Sequence, residues 1–460
     1  MDATATYGII SLLPVVILIV LALVTKRTFE SLLVGTLVAL IIGFKGDWFT
    51  ELVSSMQVIA ADNVWVFLVV SLLGGLTCVL EKSKAAMGFA GLLSKFATSK
   101  KKALVAEWLL SVCLFCDDYL NIMTTAATVK RLNDSHKIHR TLTAYVIGST
   151  SAPVVVLIPL SSWAVYYAAL LADTPLVEEG QSAVLVYAQS IPYMFFPMFA
   201  MLIMVLVILG IFPLIGPIRK YQKMAEETGN LYPTGLEAPE EEPEEETPAD
   251  SKKNKAGVID FILPIIVLVA ATIYFDIDVL TGIVVALIFT CAMYLIRRLS
   301  GIAEFVDNVW EGAATMFSVL ALLCIAFMFK TSCEALGMTE YVISKVEPLM
   351  AGSLLPFVVF IVASVLTFAL ANAWGLSAVM VPLVVPLALA MGANTDLAVA
   401  AIFSGSVFGT QACFYSDNAI LIGQSTNIRP LDHVATQLPF AVCAAILTAI
   451  MYLVFGFVFS

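Results

Sequence analysis

Charged residues are scarce in this chain of 460 residues. Asp, Glu, Lys and Arg make up only 13% of the sequence, whereas hydrophobic residues make up 60%. A soluble domain carries about 25% charged residues, so the composition excludes a soluble globular protein. The apolar runs also lack the alternating pattern that an outer-membrane barrel requires. Repeated long apolar runs instead indicate an all-α polytopic membrane protein.

The motifs of common enzymes are also missing. The sequence has no HExxH motif, no plausible Ser-His-Asp arrangement and no phosphate-binding loop that would couple it to ATP. No basic face suggests a nucleic-acid partner, and much of the net charge of −11 comes from residues 236–250, which hold eight acids and no base. We therefore expect no enzyme and no nucleic-acid partner. The expected partners are the lipid bilayer and a small ion or organic solute.

No signal peptide or disulfide framework is indicated. The first apolar run follows Tyr7 without a basic region before it or a cleavage site after it, so we interpret it as a retained span. The eight cysteines mostly fall within apolar runs and are interpreted as small buried hydrophobic residues.

Segments of the first half recur in the second half about 250 residues later. Three blocks keep their order: 12–22 with 262–272, 35–43 with 282–290, and 85–95 with 335–345. Such self-similarity is typical of transporters built from two repeats. We predict a first repeat at 1–217, a cytoplasmic, acidic and disordered linker at 218–256, and a second repeat at 257–460.

The segment 100–131 has basic residues at both ends, Lys100 to Lys102 and then Lys130 with Arg131. Basic flanks lie in the cytoplasm by the positive-inside rule. Each arm, 103–115 or 119–129, is shorter than the about 20 residues that a spanning helix needs. These features predict a re-entrant hairpin with two aspartates at its tip. One long span with coincidental basic flanks is the alternative.

The remaining basic residues predict the orientation of the two repeats. Lys26, Lys82 and Arg219 can all be cytoplasmic if the N-terminus lies outside, which gives the first repeat five crossings. An odd number of crossings inverts the second repeat. Its hairpin, near 354–391, contains no Lys or Arg, as expected for entry from outside. We expect two inverted repeats in the cytoplasmic (inner) membrane, each with about five transmembrane helices, a re-entrant hairpin and a broken helix.

Four polar islands interrupt the apolar background: 116–121, 148–153 together with 159–163, 371–377, and 415–418. The first and third lie at the hairpin tips, and the others lie midway along two overlong apolar runs. Backbone that unwinds inside a membrane must line a cavity or find partners, and its oxygens suit Na⁺. The candidate ligands for an ion or substrate are Asp117, Asp118, Asn121, Ser149, Thr150, Ser151, Ser162, Asn372, Ser377, Ser416, Asp417 and Asn418.

Different roles are expected within this set. Asp118 and Asp417 are the predicted Na⁺ ligands, because an intramembrane carboxylate is costly unless a cation or proton meets it. Asn121 is one helical turn from Asp118 and can face the same side. Asp117 either binds an ion or caps the second arm of the hairpin. The hydroxyls of 149–151 are either ligands or contacts between helices.

Two further groups have alternative interpretations. Asp432 and His433 are candidates for pH sensing, because an unperturbed imidazole titrates near neutral pH. The alternative is a surface salt bridge with Arg429. Trp163 and Trp374 either stack on a substrate or pack into the wall.

These islands resemble those of the NhaC family of Na⁺/H⁺ antiporters. FCDDYLN (115–121) is similar to the family block F-[FC]-D-D-Y-x-N, and AYVIGSTSAPVVVLIPLSSW (144–163) to A-Y-I-x-D-S-T-A-A-P with its I-S-[ST]-W tail. SGSVFGTQACFYSDNAILIGQST (404–426) with DHVATQLPFA (432–441) resembles G-D-x-x-S-P-I-S-D-T-T with D-H-x-x-T-Q-L-P-Y. The resemblance implies Na⁺-linked secondary transport by an inverted-repeat fold. It assigns matching positions to Asp117, Asp118, Asn121, Ser149, Thr150, Asp417, Asp432 and His433.

This chain departs from the family pattern at two acids, which are replaced by Gly148 and Thr410. Fewer carboxylates leave less charge to exchange cations. The leading hypothesis is Na⁺/H⁺ antiport by alternating access. The alternative is Na⁺-coupled transport of an amino acid or carboxylate, which relatives in this family also carry. A channel would need a continuous polar pore, and a homodimer is compatible with the sequence.

Overall fold

The computed structural model describes residues 7–25, 27–85, 88, 93, 96–178, 180–236, 256–275, 277–346 and 350–459. These residues form helices joined by turns and loops, with no strand among them. The helices of the first half are α1 (Leu13–Thr25), α2 (Thr28–Phe44), α3 (Trp48–Asp62), α4 (Val64–Lys82), α5 (Lys100–Cys113), α6 (Asp118–Ser135), α7 (Arg140–Gly148), α8 (Ser151–Leu157), α9 (Ser162–Ala172), α10 (Ala183–Ser190) and α11 (Phe195–Leu209).

A helix α12 (Pro217–Thr228) precedes the second half. The helices of the second half are α13 (Val258–Tyr274), α14 (Val279–Arg297), α15 (Ile302–Thr315), α16 (Phe317–Ala335), α17 (Met338–Val346), α18 (Leu355–Leu370), α19 (Ala373–Ala390), α20 (Thr395–Ala412), α21 (Asp417–Ser425) and α22 (Pro430–Val458).

Many of these helices are apolar enough to cross a membrane. Among the described residues, seven helices meet the length and hydropathy of a span, and counting each of three bent pairs as one span raises the number to ten. The apolar faces that remain exposed, such as Ile288 and Ile296 of α14, suit contact with lipid. The predicted class, an all-α polytopic membrane protein, is confirmed.

The first hairpin consists of two antiparallel helices, α5 and α6. Near its tip the side chains of Ser111 and Asn121 are joined by a hydrogen bond of 2.6 Å, and near its base Asn133 donates to Glu107 at 2.7 Å. A single long span through 100–131 is therefore excluded. In the second hairpin, α18 and α19 are joined at Ala371, whose φ of +57° closes the turn.

The two overlong runs are broken helices, as predicted, and the bend in the first lies at the second part of its polar island. A short turn at Ser149 and Thr150 separates α7 from α8, and the segment Arg140–Leu157 then bends by 42° before α9. Pro153 causes no break because it lies in the first turn of α8, where a missing N–H is tolerated. The unwound segment is 158–161, which contains Pro159. In the second half, α20 and α21 bend by 46° across 413–416.

Corresponding positions in the two halves are equally spaced. Asn372 at the second tip stands 255 residues after Asp117 at the first, and Ser416 at the second break stands 255 residues after Ser161. Each of the four caps the helix that follows it. This spacing supports the predicted repeat, whose inverted orientation in the membrane stays a prediction.

The halves also pack against each other. Helix α15 lies against α4, and α16 lies against α2. A Cβ on Gly312 would stand 2.2 Å from the carbonyl oxygen of Gly74, and one on Gly74 would stand 2.6 Å from that of Gly312. The two glycines therefore allow α4 and α15 to approach closely, as small residues do in membrane helix pairs.

The predicted disordered linker at 218–256 is wrong in its first part. Helix α12 starts with Pro217, ends before the left-handed Gly229, and buries Ile218, Gln222 and Ala225. Lys100 of the first hairpin donates to Glu226 at 2.5 Å, and this hydrogen bond lowers the pKa of the Glu226 carboxyl. The acidic residues from 237 to 255 lie outside the described part of the chain, as does most of the repeat block 85–95.

Candidate ion and substrate site

The tip of the first hairpin is organised by Asp117. Its Oδ1 accepts from the backbone N–H groups of Tyr119 at 3.0 Å and Leu120 at 3.1 Å, so it caps α6. Its Oδ2 accepts from the hydroxyl of Ser162 at 2.9 Å, and the Ser162 N–H donates to the carbonyl of Cys116 at 2.9 Å. The capping role predicted for Asp117 is thus observed, and the tip is tied to the first broken helix.

Asn121 does not share the surroundings of Asp118. Its amide donates to the carbonyl of Ser111 at 2.6 Å, and its Oδ1 accepts from the Ser111 hydroxyl. The side chain is fully buried between the two arms. Its contacts therefore hold the hairpin together and do not support the predicted role as a ligand.

The second break carries the same kind of cap. Ser416 accepts from the N–H of Ala419 and donates its hydroxyl to the carbonyl of Thr410 at 2.8 Å, six residues earlier. Ser161 in the first half donates to Val155, also six residues earlier. Both serines close the break in the same way.

The two halves meet at Asp417. Its Oδ2 accepts a hydrogen bond of 2.5 Å from the phenol of Tyr119, which follows the tip of the first hairpin. Helix α21, which begins at Asp417, packs against α6. Two residues separated by 298 positions in the sequence are therefore in direct contact.

Asp118 lies behind this contact, with 2% of its surface exposed. The carboxylates of Asp117 and Asp417 are near enough to interact with its charge, and the side chains of Asn418 and Trp163 approach it as donors. Asp118 and Asp417 are therefore close together, and their role as Na⁺ ligands stays a prediction. No cap or ion pair gives Asp118 a purely structural role within the described part of the chain.

Three acids meet here without a balancing cation from the protein. In the described ranges, no Lys or Arg forms an ion pair with Asp117, Asp118 or Asp417. No three His, Cys, Asp or Glu residues there are arranged to hold a metal ion. An ion such as Na⁺ would therefore need hydroxyl, amide or carbonyl oxygens besides carboxylates.

A large cavity opens beside these acids. Its volume is about 740 Å³, and Asp117, Tyr119, Asn372, Trp374 and Asp417 form one part of its wall. Another part contains Glu81 and the ion pair between Lys82 of α4 and Glu311 of α15. These two parts are joined by a mainly apolar wall that includes Phe29, Met123, Met316 and Phe317.

Both tryptophans considered as substrate contacts lie at the site. Their rings stand 5.1 Å apart between centroids, and the phenol of Tyr166 donates to the carbonyl of Trp374 at 2.9 Å. Trp163 is 2% exposed, whereas Trp374 is half-buried and lines the cavity. Trp163 therefore packs into the wall, and Trp374 remains available to a solute.

Several predicted ligands lie away from the cavity. The hydroxyl of Thr150 donates to the carbonyl of Val146 within its own helix, and Ser377 pairs with Ser406. Ser149 is buried in the first broken helix before its bend. Ser151 and Asn418 border a second, much smaller cavity.

The candidate pH-sensing pair is divided between two environments. Asp432 accepts from Arg429 at 2.6 and 3.1 Å, which is the salt bridge considered as the alternative. His433 is 1% exposed and faces Gly148. A sensing role for either residue stays a prediction.

Sequence reasoning missed Tyr119 as a site residue and the charged part of the cavity wall formed by Glu81, Lys82 and Glu311. Tyr119 adjoins two aspartates, and an aromatic hydroxyl at a hairpin tip is a signal that could have been used. The pairing of Lys82 with Glu311 depends on the packing of α4 against α15 and has no local signal.

Comparison with known proteins identifies the family. The model of the Na⁺/H⁺ antiporter family matches residues 174–457, more than half of the chain. The chain belongs to the Na⁺/H⁺ antiporter family. The match begins after the first hairpin and includes the second hairpin, both sides of the second break and α22. The resemblance to NhaC proteins is thereby confirmed, and the chain is a multi-pass membrane protein and a secondary transporter.

The chain is also similar to one curated relative and to two solved structures. An uncharacterized protein of Haemophilus influenzae is 28% identical over 98% of this chain and 91% of its own length. The YdaH transporter of Alcanivorax borkumensis, described as having an unusual topology, superposes with a TM-score of 0.55 at 13% identity, covering 90% of each chain. MtrF of Neisseria gonorrhoeae, described as one of a class of antimetabolite efflux pumps, gives 0.54 at 15% identity, covering 90% of this chain and 85% of MtrF. At these identities the likeness shows a shared fold.

Proposed function

We propose that this transporter exchanges Na⁺ for H⁺ by alternating access across the cytoplasmic membrane. The observation that supports it most is the meeting of Asp118 and Asp417, from the two halves, beside a cavity, with no ion pair to a Lys or Arg in the described part of the chain. A charged side chain at the bilayer centre costs about 2.5–3.5 kcal/mol even by the lower scale. Neighbouring carboxylates repel one another, so a bound Na⁺ or proton stabilises the group.

In this mechanism Na⁺ and protons compete for the same carboxylates. Na⁺ would bind Asp118 and Asp417, and protonation of the acids would release it. The hydroxyl of Tyr119 would hold Asp417 in position in either state. Movement of the hairpin tips against the rest of the fold would then expose the site to one side of the membrane at a time.

Uptake of radioactive Na⁺ into proteoliposomes, driven by a pH gradient, tests the proposal. Wild type should accumulate Na⁺ when the lumen is acidic, and collapse of the gradient should stop accumulation. Asp417→Asn should reduce uptake by at least about tenfold, about 1.4 kcal/mol. Absence of uptake by the wild type, or equal uptake by the variant, contradicts Na⁺/H⁺ exchange.

Na⁺-coupled transport of a small organic solute is the second candidate, and the cavity size favours it. A volume of about 740 Å³ lies within the range of about 300–1,000 Å³ that is typical of small-molecule pockets. Trp374 and Asn372 would contact the solute. Thermal-shift screening of amino acids and carboxylates separates the candidates, because symport predicts a solute that stabilises the protein only when Na⁺ is present.

A further inference from the structure

A second, small cavity lies between the first broken helix, the second broken helix and α22. Its volume is about 10 Å³, room for one water or small ion. Ser151 of α8, Gln411 of α20, Asn418 of α21, and His433 and Gln437 of α22 contribute to its lining. No acid lines it, so it differs chemically from the carboxylate site.

Four oxygen atoms around this cavity have no hydrogen-bond partner. They are Ser151 Oγ, Gln411 Oε1, Asn418 Oδ1 and Gln437 Oε1. Each belongs to a side chain that is at most 7% exposed. An unsatisfied buried polar atom costs about 1–3 kcal/mol, so four in one cavity indicate a missing ligand.

The chemistry of these atoms favours a cation over a water molecule. A water donates two hydrogen bonds and would satisfy only two of four oxygens. The unpartnered nitrogens here, Nδ1 of His433 and Nε2 of Gln437, are fewer than the oxygens. Neutral amide and hydroxyl oxygens in a space of this size are suitable ligands for Na⁺.

Gly148 keeps the cavity open. A Cβ at this position would stand 2.4 Å from Gln437 Oε1 and 2.8 Å from Cε1 of His433. Any side chain at 148 would displace Gln437, which contributes one of the four oxygens. The backbone of Gly148 is held in place by Gln411, whose Nε2 donates to the Gly148 carbonyl at 2.9 Å.

We propose that this cavity binds one Na⁺ on neutral oxygens, separately from the site at Asp118 and Asp417. Asn418 connects the two sites, because its side chain approaches Asp118 and its Oδ1 lacks a partner. A cation on Oδ1 would orient the amide N–H groups toward Asp118. This coupling rests on the proposed function, whereas the binding site itself does not.

The experiment measures equilibrium binding of radioactive Na⁺ to the full chain in detergent, with choline chloride keeping the ionic strength constant. The double variant Asp118→Asn, Asp417→Asn removes the carboxylate site and should keep one saturable Na⁺ per chain. Adding Gln437→Leu should raise the Na⁺ concentration for half-saturation by about tenfold or more, equivalent to about 1.4 kcal/mol. Gln424→Leu, at an exposed position of α21, is the matched control and should change nothing.

Two milder variants keep the test decisive if Gln437→Leu does not fold. Gly148→Ala and Ser151→Ala, in the same double-variant background, should each weaken Na⁺ binding. The proposal is overturned if the double variant binds no Na⁺, which would mean that the cavity holds water only. It is equally overturned if binding persists unchanged in all three cavity variants. Failure of Na⁺ uptake in liposomes would leave this binding intact, so the two proposals fail separately.

Discussion

The two halves share one frame, a hairpin and a broken helix with a capping residue at the hairpin tip and at the break. They place their carboxylates differently on it. In the first half the acid is at the hairpin tip, Asp117, and the residue after the break cap is Ser162. In the second half the tip carries Asn372, and the acid, Asp417, follows the break cap. Asp118 has no acidic counterpart, because the equivalent position, 255 residues later, is Ala373.

This difference separates structural roles from chemical ones. Asp and Asn cap helices about equally well, and Asp117 and Asn372 both accept backbone N–H groups of the following helix. The frame therefore needs a cap at each tip and no charge. The acids that the frame does not require, Asp118 and Asp417, are those that the mechanism needs.

The largest expected effect follows from Asp118→Asn. This change removes the buried carboxylate that has no capping role, so we expect Na⁺/H⁺ exchange in proteoliposomes to fall by about 100-fold or more, about 2.7 kcal/mol. The melting temperature should not fall, because a buried charge without an ion pair is removed. Asp307→Asn, on the exposed face of α15, is the control. Near-normal exchange by Asp118→Asn would refute the assignment.

The acid at the first hairpin tip, Asp117, can be compared directly with the acid after the second break, Asp417. Asp117→Asn recreates the second tip in the first half and keeps the cap, so exchange should fall by no more than about threefold. Asp417→Asn should reduce it by at least about tenfold, about 1.4 kcal/mol. Initial rates at equal protein density measure both. A larger loss of exchange in Asp117→Asn than in Asp417→Asn would contradict the proposed difference between the halves.

Tyr119→Phe tests the contact between the halves. The phenol donates to Asp417 and holds its carboxylate in position, and hydrogen bonds to charged groups contribute about 1.5–3 kcal/mol. Without this hydrogen bond the carboxylate is less well placed for Na⁺, so the Na⁺ concentration for half-maximal exchange should rise by about tenfold, about 1.4 kcal/mol. Measurement of exchange rates over a range of Na⁺ concentrations checks this. An unchanged half-maximal concentration would show that the contact does not position Asp417.

The smallest effects are expected at the two serines that cap the breaks, a feature that both halves share. Ser161→Ala and Ser416→Ala each remove a cap at a break, and loss of such a cap costs about 1 kcal/mol. Thermal unfolding in detergent should show two similar decreases that add in the double variant. Ser135→Ala, at the exposed end of α6, serves as control. A cost confined to one serine would show that the breaks are not equivalent.

Local signals in the sequence were enough for much of this site. Basic residues at both ends of 100–131 predicted the hairpin, and its polar tip predicted that Asp117 could cap α6. The hydrophobic pattern gave the spans, and the recurrence of blocks gave the two halves. The hairpin, the cap and the spans depend on residues that are close together in the chain, and the two halves show as similar segments about 250 residues apart.

The predictions from the sequence that the structure did not bear out concern features that depend on tertiary packing. Ser149 and Thr150 look as able to bend a helix as 158–161, but they form only a short turn between α7 and α8, and the bend of 42° lies at 158–161. The helical spacing of Asn121 and Asp118 was read correctly as one turn, yet Asn121 is held by Ser111 on the neighbouring arm. The contact of Tyr119 with Asp417 joins positions 298 residues apart and has no local signature. Residues 218–228 were grouped with the acidic tract, although Pro217 and Gly229 bound a helix.

Proton release on Na⁺ addition tests the shared carboxylate site most directly. The protein in weakly buffered detergent solution, at a pH where the acids are partly protonated, should acidify the medium when NaCl is added and not when choline chloride is added. Asp118→Asn and Asp417→Asn should each reduce this release, because each removes one of the carboxylates for which Na⁺ and protons compete. Absence of proton release from the wild type, or release that survives both substitutions together, would contradict the account.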